Sequence, residues 1–207
     1  MPKVAYSEED RQRVRQQLVR TALELMAKQG IRHTTVEQVY KSAGISRTFF
    51  YTFFPTKEDL IVEAIYLQQP RVLEYARSLL EDPALTWREA VRQFLYSCCY
   101  GEQYGIAVLT IEEQQLLFRH LTPESYRNFR RKQFLLFRDL LAAFGIQPDK
   151  ERVDMLTNLS ITAMLLRRAV PSTLPLLVPE AADATVRFQI DSITRYLEAM
   201  RAEHPFG

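Results

Sequence analysis

Residues 34–60 read TTVEQVYKSAGISRTFFYTFFPTKEDL, and this stretch decides the fold. Two threonines at its start offer hydroxyl caps, and Glu37 or Gln38 follows at the spacing of a capping box. Gly44 can adopt the positive φ that ends a helix and reverses the chain. Ser46 can then cap a second helix. The stretch therefore predicts two short helices joined by a tight turn, the helix-turn-helix that sets its second helix in a DNA major groove.

Many spaced positions around this turn agree with one known pattern. They are Gly30-Ile31, Thr34-Thr35-Val36, Ala43-Gly44-Ile45-Ser46, Phe50-Tyr51-Thr52-Phe53-Phe54 and Thr56-Lys57-Glu58-Asp59-Leu60. In these positions the chain resembles the tetracycline-repressor (TetR) family of bacterial transcriptional regulators, over roughly its first sixty residues. The resemblance implies an N-terminal three-helix DNA-binding domain, residues 1–55. It also implies a helical domain for ligand binding and dimerisation, residues 56–207.

Helical periodicity and helix caps predict an all-α fold of about nine helices. No strand alternation is present in the sequence. Besides the two short helices, we expect helices from Ser7 to Gly30, from Thr56 toward Leu80 with a kink or break at Pro70, from Thr86 to about Gln103, from Ile106 to about His120, from Thr122 to Ala143, from about Lys150 to Ala169, and from about Glu180 to Ala202.

The recognition helix should run from Ser46 to about Phe53. On a helical projection Arg47, Thr48, Tyr51 and Thr52 share the outer face, with Arg47 placed for a bidentate contact to guanine. The resemblance adds contacts of Tyr51 and Lys57 to the DNA backbone, and Thr35 lies where a helix N-terminus can meet a phosphate. The alternative is that Tyr51 packs within the protein and that Arg47 contacts only solvent. The DNA-binding candidates are Thr35, Ser46, Arg47, Thr48, Phe49, Tyr51, Thr52 and Lys57.

Three positions of the recognition helix depart from the family pattern. Thr48 replaces the usual Gly, Phe49 the usual Thr or Ser, and Phe53 the usual His or Tyr. Phe53 cannot donate to a phosphate oxygen. Phe49 can either lie against a thymine methyl or extend the core. The operator sequence therefore does not follow from that of any relative.

Composition fits a DNA-binding protein without a membrane segment. The chain has 207 residues, 47% hydrophobic, and a net charge of +2. Residues 1–60 hold 10 Lys/Arg and 7 Asp/Glu, a net +3, whereas the remainder holds 17 and 18, a net −1. No apolar run is long enough for a membrane helix or a signal peptide, so we expect a cytoplasmic protein with no membrane partner.

Helices of the second domain carry apolar stripes interrupted by polar groups, which is typical of a ligand pocket. A helix end, a satisfied buried group or an interface edge would give the same pattern. The two adjacent cysteines are most simply core residues, and redox sensing is the alternative. The ligand-binding candidates are Trp87, Phe94, Cys98, Glu102, Glu113, Leu117, Gln133 and Phe137.

The last two long helices carry faces suited to pairing. The apolar seam, defined as Val186, Ile190, Ile193, Leu197 and Met200, follows the 4-3-4-3 spacing of a coiled coil. In the family, two such helices from each subunit form a four-helix dimer interface, and packing within one subunit is the alternative reading. The dimer candidates are Ser160, Ala163, Met164, Arg167, Val186, Ile190, Ile193 and Leu197.

These features predict a sequence-specific transcriptional regulator, most simply a repressor that binds an inverted repeat as a homodimer. The expected partners are double-stranded DNA, a second copy of the chain, and a small apolar or aromatic effector that releases the DNA. A ligand-independent architectural or cell-cycle factor of the same fold is the alternative. We expect no enzyme, no cofactor and no metal site, because the three histidines are scattered and no nucleophile or phosphate-binding motif is present.

Overall fold

The computed structural model describes residues 6–104, 106–169 and 177–203, and the side chains of residues 102, 103 and 203 also lie outside the described part. All regular structure in these ranges is helical, which confirms the predicted all-α class. The helices are α1 Glu8–Gln29, α2 Val36–Ser42, α3 Arg47–Phe50, α4 Lys57–Glu81, α5 Trp87–Cys99, α6 Gly101–Tyr104, α7 Ile111–His120, α8 Pro123–Ala143, α9 Lys150–Ala169 and α10 Ala182–Glu203, with one 3₁₀ turn at Pro179–Ala181.

Side-chain caps begin the helices of the N-terminal region, as the sequence predicts. Capping boxes join Ser7 to Asp10 and Thr56 to Asp59. At α2 the box joins Thr35 to Gln38, so the partner is Gln38 rather than Glu37. The glycine between α2 and α3 adopts φ 68°, which confirms the predicted reversal. The helix-turn-helix therefore follows from local chemistry alone.

The recognition helix is shorter than its predicted span of Ser46 to Phe53. Regular helix α3 ends at Phe50, and residues 51–53 form a turn. The backbone N–H groups of Tyr51 and Phe54 still donate to the carbonyls of Arg47 and Phe50, at 3.3 and 3.2 Å. The outward face predicted for this segment is therefore kept although the helix ends early.

Two hydrophobic cores organise the chain. The N-terminal core is built by α1, α2, α3 and the first half of α4, and it is completed by Ala107, Leu117 and Phe129. The C-terminal core is built by the second half of α4 together with α5, α8, α9 and α10. Three residues that complete the N-terminal core thus come from beyond the predicted domain boundary at residue 55.

Helix α4 belongs to both cores. Leu60 and Ile65 are buried in the N-terminal core, and Ala76 and Leu79 are buried in the C-terminal core. The helix runs through Pro70 without a break, although proline has no N–H to give to the helical ladder. A single helix with one missing hydrogen bond therefore connects the two cores.

Two predicted helix spans are wrong. The helix expected to reach Gln103 ends at Cys99, and α6 follows as a separate turn. The helix expected from Ile106 begins only at Ile111, because Thr110 caps it through a box with Glu113. Residues 106–110 are not helical, and we call them the 106–110 segment.

The apolar seam packs inside the chain, which is the alternative reading of its spacing. Val186, Ile190, Ile193 and Leu197 are at most 4% exposed and lie in the C-terminal core. Ion pairs of Arg88 with Glu198 and of Arg92 with Asp191 join α5 to α10. These side chains are already covered within a single chain and are not available to a second one.

The dimer candidates on α9 also contact their own chain. Ser160 and Ala163 are buried, and Met164 packs against the C-terminal core. The guanidinium of Arg167 lies 4.6 Å from the centre of the Tyr100 ring and 3.6 Å from the Asp183 carboxylate. A coiled-coil spacing indicates a covered stripe, and here α5 and α9 cover it.

Candidate nucleic-acid interface and ligand cavity

The outer face of the recognition segment is open to solvent. Arg47, Thr48, Tyr51 and Thr52 are all exposed, and Tyr51 keeps 41% of its surface. The Arg47 guanidinium lies 5.9 Å from the centre of the Tyr51 ring. That distance is within the range of a cation–π contact, which leaves the hydrogen-bond donors of the guanidinium available to an acceptor.

Two hydroxyl candidates are already engaged in the helix caps. Ser46 Oγ accepts the N–H of Phe49 at 3.2 Å, and Thr35 Oγ1 accepts the N–H of Gln38 at 3.1 Å. Both residues remain exposed, and a hydroxyl oxygen has two lone pairs. Their first structural role is to begin the helices that carry the face, and any phosphate contact is added to that role.

Lys57 has a structural hydrogen bond that the sequence does not indicate. Its ammonium donates to the carbonyl of Ile31 at 3.0 Å, so it ties the start of α4 to the loop between α1 and α2. Burial lowers the pKa of Lys57, because desolvation penalises the charged form. Two of its three N–H donors remain for a phosphate.

Phe49 packs at the edge of the DNA-binding region. Its ring centre lies 4.7 Å from that of Tyr6 and 5.0 Å from that of Phe53, and the Arg11 guanidinium lies 5.0 Å from the Phe53 ring. Phe49 is half-buried, and its ring packs on Tyr6 and Phe53 rather than within the N-terminal core. The remaining part of its ring still borders the outer face.

Arg15 supports the end of the recognition segment, a role that was not predicted. Its guanidinium donates to the carbonyl of Phe53 at 3.2 Å, pairs with Glu63 at 3.4 Å, and lies 4.6 Å from the Phe54 ring. One side chain of α1 thereby links the recognition segment to α4. Only the fold brings these positions together, since 38 residues separate Arg15 from Phe53.

A cavity of about 160 Å³ lies between α4, α5, α7, α8, α9, α10 and the 106–110 segment. In the described part of the chain, none of its lining residues carries an ionisable acid or base other than two thiols. Its polar lining comes from four glutamines, two cysteines and one serine, and the rest is apolar. The polar lining residues are Gln68, Gln69, Gln114, Gln133, Cys98, Cys99 and Ser160.

Half of the predicted ligand residues line this cavity, namely Phe94, Cys98, Gln133 and Phe137. Trp87, Glu113 and Leu117 do not belong to the lining. The side chain of Glu102 lies outside the described residues. Several dimer candidates line the cavity instead: Ser160, Ala163, Met164, Ile190 and Ile193.

Each candidate that lies elsewhere has a clear structural role. Trp87 Nε1 donates to the carbonyl of Phe144 at 2.9 Å, which fixes the start of α5 on the C-terminal core. Glu113 accepts the N–H of Thr110 at 2.8 Å and caps α7. Leu117 is buried in the N-terminal core. A polar residue within an apolar stripe was thus a helix cap, one of the alternatives considered.

The two cysteines face the cavity as protonated thiols. Burial raises the pKa of Cys98 well above its usual value and raises the pKa of Cys99 to about 12. Thiolate is the reactive form, so these thiols are poor nucleophiles at neutral pH. Their position agrees with a role as small core residues and adds no charge to the cavity.

The 106–110 segment is held to α4 by one glutamine. Gln68 Nε2 donates to the carbonyl of Ala107 at 2.9 Å, and Gln68 Oε1 accepts the N–H of the same residue at 3.0 Å. Ala107 lines the cavity and also belongs to the N-terminal core. The cavity wall and the DNA-binding region therefore share this segment as well as α4.

Two other kinds of site are absent from the described ranges. No helix there combines the length and the low polarity that crossing a membrane requires. The described residues also contain no cluster of three or more His, Cys, Asp or Glu side chains suited to hold a metal ion.

Comparison with known proteins agrees with the helix-turn-helix. Residues 18–64 match the family described as bacterial regulatory proteins, tetR family. The HTH-type transcriptional regulators AcrR of Shigella flexneri and TcmR of Streptomyces glaucescens are each 30% identical, over 101 and 144 residues. The alignments span 47% and 67% of this chain, and 47% and 64% of those relatives.

A solved structure extends the likeness to the whole fold. A TetR transcriptional regulator from Rhodococcus sp. RHA1 superposes with a TM-score of 0.58 at 19% identity. The match covers 88% of this chain and 97% of that one. At this level of identity the comparison shows a shared architecture, and it includes the domain that holds the cavity.

Proposed function

We propose that this chain, which belongs to the TetR family of bacterial regulatory proteins, represses transcription as a homodimer on an inverted-repeat operator and leaves the DNA when a small neutral molecule binds. The family match supports DNA binding through the helix-turn-helix.

Base reading is assigned to the outer face of the recognition segment. Arg47 is the exposed guanidinium at the start of α3, where it can contact a guanine edge. Replacing it with alanine should cost roughly 1–3 kcal/mol at one base pair and relax the preference there. Operator duplexes with single substitutions, titrated by fluorescence anisotropy, measure this. Equal weakening on every duplex would assign Arg47 to the backbone instead.

Pairing of subunits is assigned to the outer faces of α9 and α10. Met155 on α9 and Phe188 and Tyr196 on α10 are large apolar side chains exposed by 42%, 70% and 40%. Exposed apolar groups on neighbouring helices are typical of a surface covered by another chain. In the family, the last two long helices form the dimer, and these residues replace the buried seam as its candidates.

The single observation that carries the proposal of ligand control is the uncharged cavity beside α4. A ligand-independent factor would have a filled core, whereas about 160 Å³ is open here. A dry cavity of about 150 Å³ is enough to bind benzene in another protein, so a one-ring molecule fits. Release requires that this molecule bind the DNA-incompetent arrangement more tightly, because equal affinity shifts nothing.

The test is a pair of linked titrations. Operator sequences are selected from random duplexes, and the affinity of the purified protein is measured with and without small neutral aromatic compounds. Release of the operator, with the compound bound less tightly by the same factor when operator is present, supports the proposal. Sequence-specific binding that no compound alters would favour the ligand-independent factor.

A further inference from the structure

Two residues that line the cavity each have a buried polar atom without a hydrogen-bond partner among the described residues. They are Gln69 Nε2 on α4 and Ser160 Oγ on α9. Ser160 is 93% buried, since only 7% of its surface is exposed. Buried polar groups nearly always have a partner, and leaving one unpaired is costly. Two such atoms on one apolar cavity therefore indicate that something else completes them.

The chemistry of the lining restricts the occupant. Gln69 Nε2 is an amide nitrogen and can only donate, so its partner must be an acceptor. The Ser160 hydroxyl can donate or accept. Among the described residues no Lys, Arg, Asp, Glu or His lines the cavity, so an ionised ligand would be buried there without a counter-charge.

We propose that the cavity takes a small neutral molecule, largely apolar, that carries a hydrogen-bond acceptor such as a carbonyl, and that this acceptor binds Gln69. The proposal rests on the ligand control argued above and names the class of ligand. Ser160 supplies the second polar contact. Phe94 and Phe137 form part of the apolar wall around the ligand.

The position of Gln69 gives this contact a second consequence. Gln69 precedes Pro70, where α4 lacks one backbone hydrogen bond, and follows Gln68, which holds the 106–110 segment. The residues of α4 before this point pack in the N-terminal core, and those after it pack in the C-terminal core. A ligand that pulls on Gln69 acts on α4 at the junction of the two cores. Ser160 on α9 has no such link, so it anchors the ligand without transmitting its effect.

The ligand class is tested with three one-ring probes of similar size. Acetophenone carries a neutral acceptor. In α-methylstyrene a =CH2 group replaces the carbonyl oxygen, and benzoate carries a charge. Binding to the full chain is measured by calorimetry or by ligand-observed NMR. We expect acetophenone to bind most tightly and benzoate not to bind. Equal binding of α-methylstyrene would overturn the acceptor, and binding of benzoate would overturn the neutral class.

Variants locate the contacts. Gln69→Met and Ser160→Ala should each weaken acetophenone by roughly threefold to tenfold, the range expected for one neutral hydrogen bond, and leave α-methylstyrene unchanged. Ser97→Ala is the matched control, because Ser97 is buried but does not line the cavity. Its hydroxyl already donates to the backbone carbonyl of Gln93 at 2.8 Å. No loss in the two cavity variants, or the same loss in the control, would refute the contacts.

Coupling is read from the ratio of acetophenone affinities without and with operator. Ser160→Ala should keep the wild-type ratio while it weakens both affinities. Gln69→Met should bring the ratio toward one, because the contact to α4 is lost. A wild-type ratio in Gln69→Met would show that the ligand acts through another element. Absence of any sequence-specific DNA binding in the wild type would instead refute the function proposed above, which keeps the two failures distinct.

Discussion

The buried seam of α10 gives the sharpest test of the fold, through Leu197→Ala. Leu197 is completely buried in a single chain. Removing three carbon atoms from it costs about 2.4 kcal/mol of transfer free energy at about 0.8 kcal/mol per carbon. The cavity left behind raises the loss to about 3–4 kcal/mol. That is a large part of the 5–15 kcal/mol typical of a folded domain.

The measurement needs a background in which dissociation does not contribute. Phe188→Arg places a charge on the exposed face of α10 and should give a folded monomer, as judged by sedimentation and by circular dichroism. Leu197→Ala is then added, and both proteins are unfolded in urea. We expect the midpoint to fall by about 1 M or more, since the slope for such a domain is about 1–3 kcal/mol per M.

The opposite result is equally clear. A seam that paired two chains would be exposed in the monomer, and Leu197→Ala would then change its unfolding free energy by less than about 0.5 kcal/mol. The matched control is Tyr196→Ala, one residue earlier, where 40% of the side chain is already exposed. A decrease of the same size in the unfolding free energy of this control would mean that any truncation on α10 destabilises the protein. Burial of Leu197 would then not explain the effect.

Three further outcomes are expected. Thr35→Ala should cost about 1 kcal/mol in thermal unfolding, because it removes the cap of α2, and Thr35→Ser should restore most of it. Gly101→Ala should destabilise by about 1–3 kcal/mol, since a Cβ there would lie 2.5 Å from the carbonyl oxygen of Ile106; an unchanged melting temperature would contradict that geometry. Cys98 and Cys99 should resist a thiol reagent at pH 8 in the native state and react fully in guanidinium, because burial raises both pKa values and leaves little thiolate; rapid native labelling would reopen the redox reading.

Local features of the fold were predictable from the sequence. The caps at Ser7, Thr35 and Thr56 each depend on residues within one helical turn, and all three form. The box of Thr110 with Glu113 has the same three-residue spacing. Reading it as a cap would have placed the start of α7 correctly and removed Glu113 from the ligand candidates.

Features that depend on distant partners were not predictable. The 106–110 segment has a helix-like apolar pattern, but Gln68, 39 residues earlier, binds both backbone groups of Ala107. The seam of α10 has the same spacing whether it faces its own chain or another. Gln69 gave no signal at all, because its importance lies in a missing partner that only the packed structure reveals.

The sharing of the N-terminal core has a consequence for building hybrid regulators. Leu117 and Phe129 reach from α7 and α8 into the core that supports the recognition segment. A fusion cut at residue 55 that takes its remainder from a relative would replace these side chains and leave Phe50 and Phe54 against a surface that did not evolve with them. The DNA specificity of this chain is therefore changed safely only by substituting residues on the outer face of α3. Transferring the helix-turn-helix as a block would transfer its DNA preference but would also destabilise it, because the side chains from α7 and α8 would be lost.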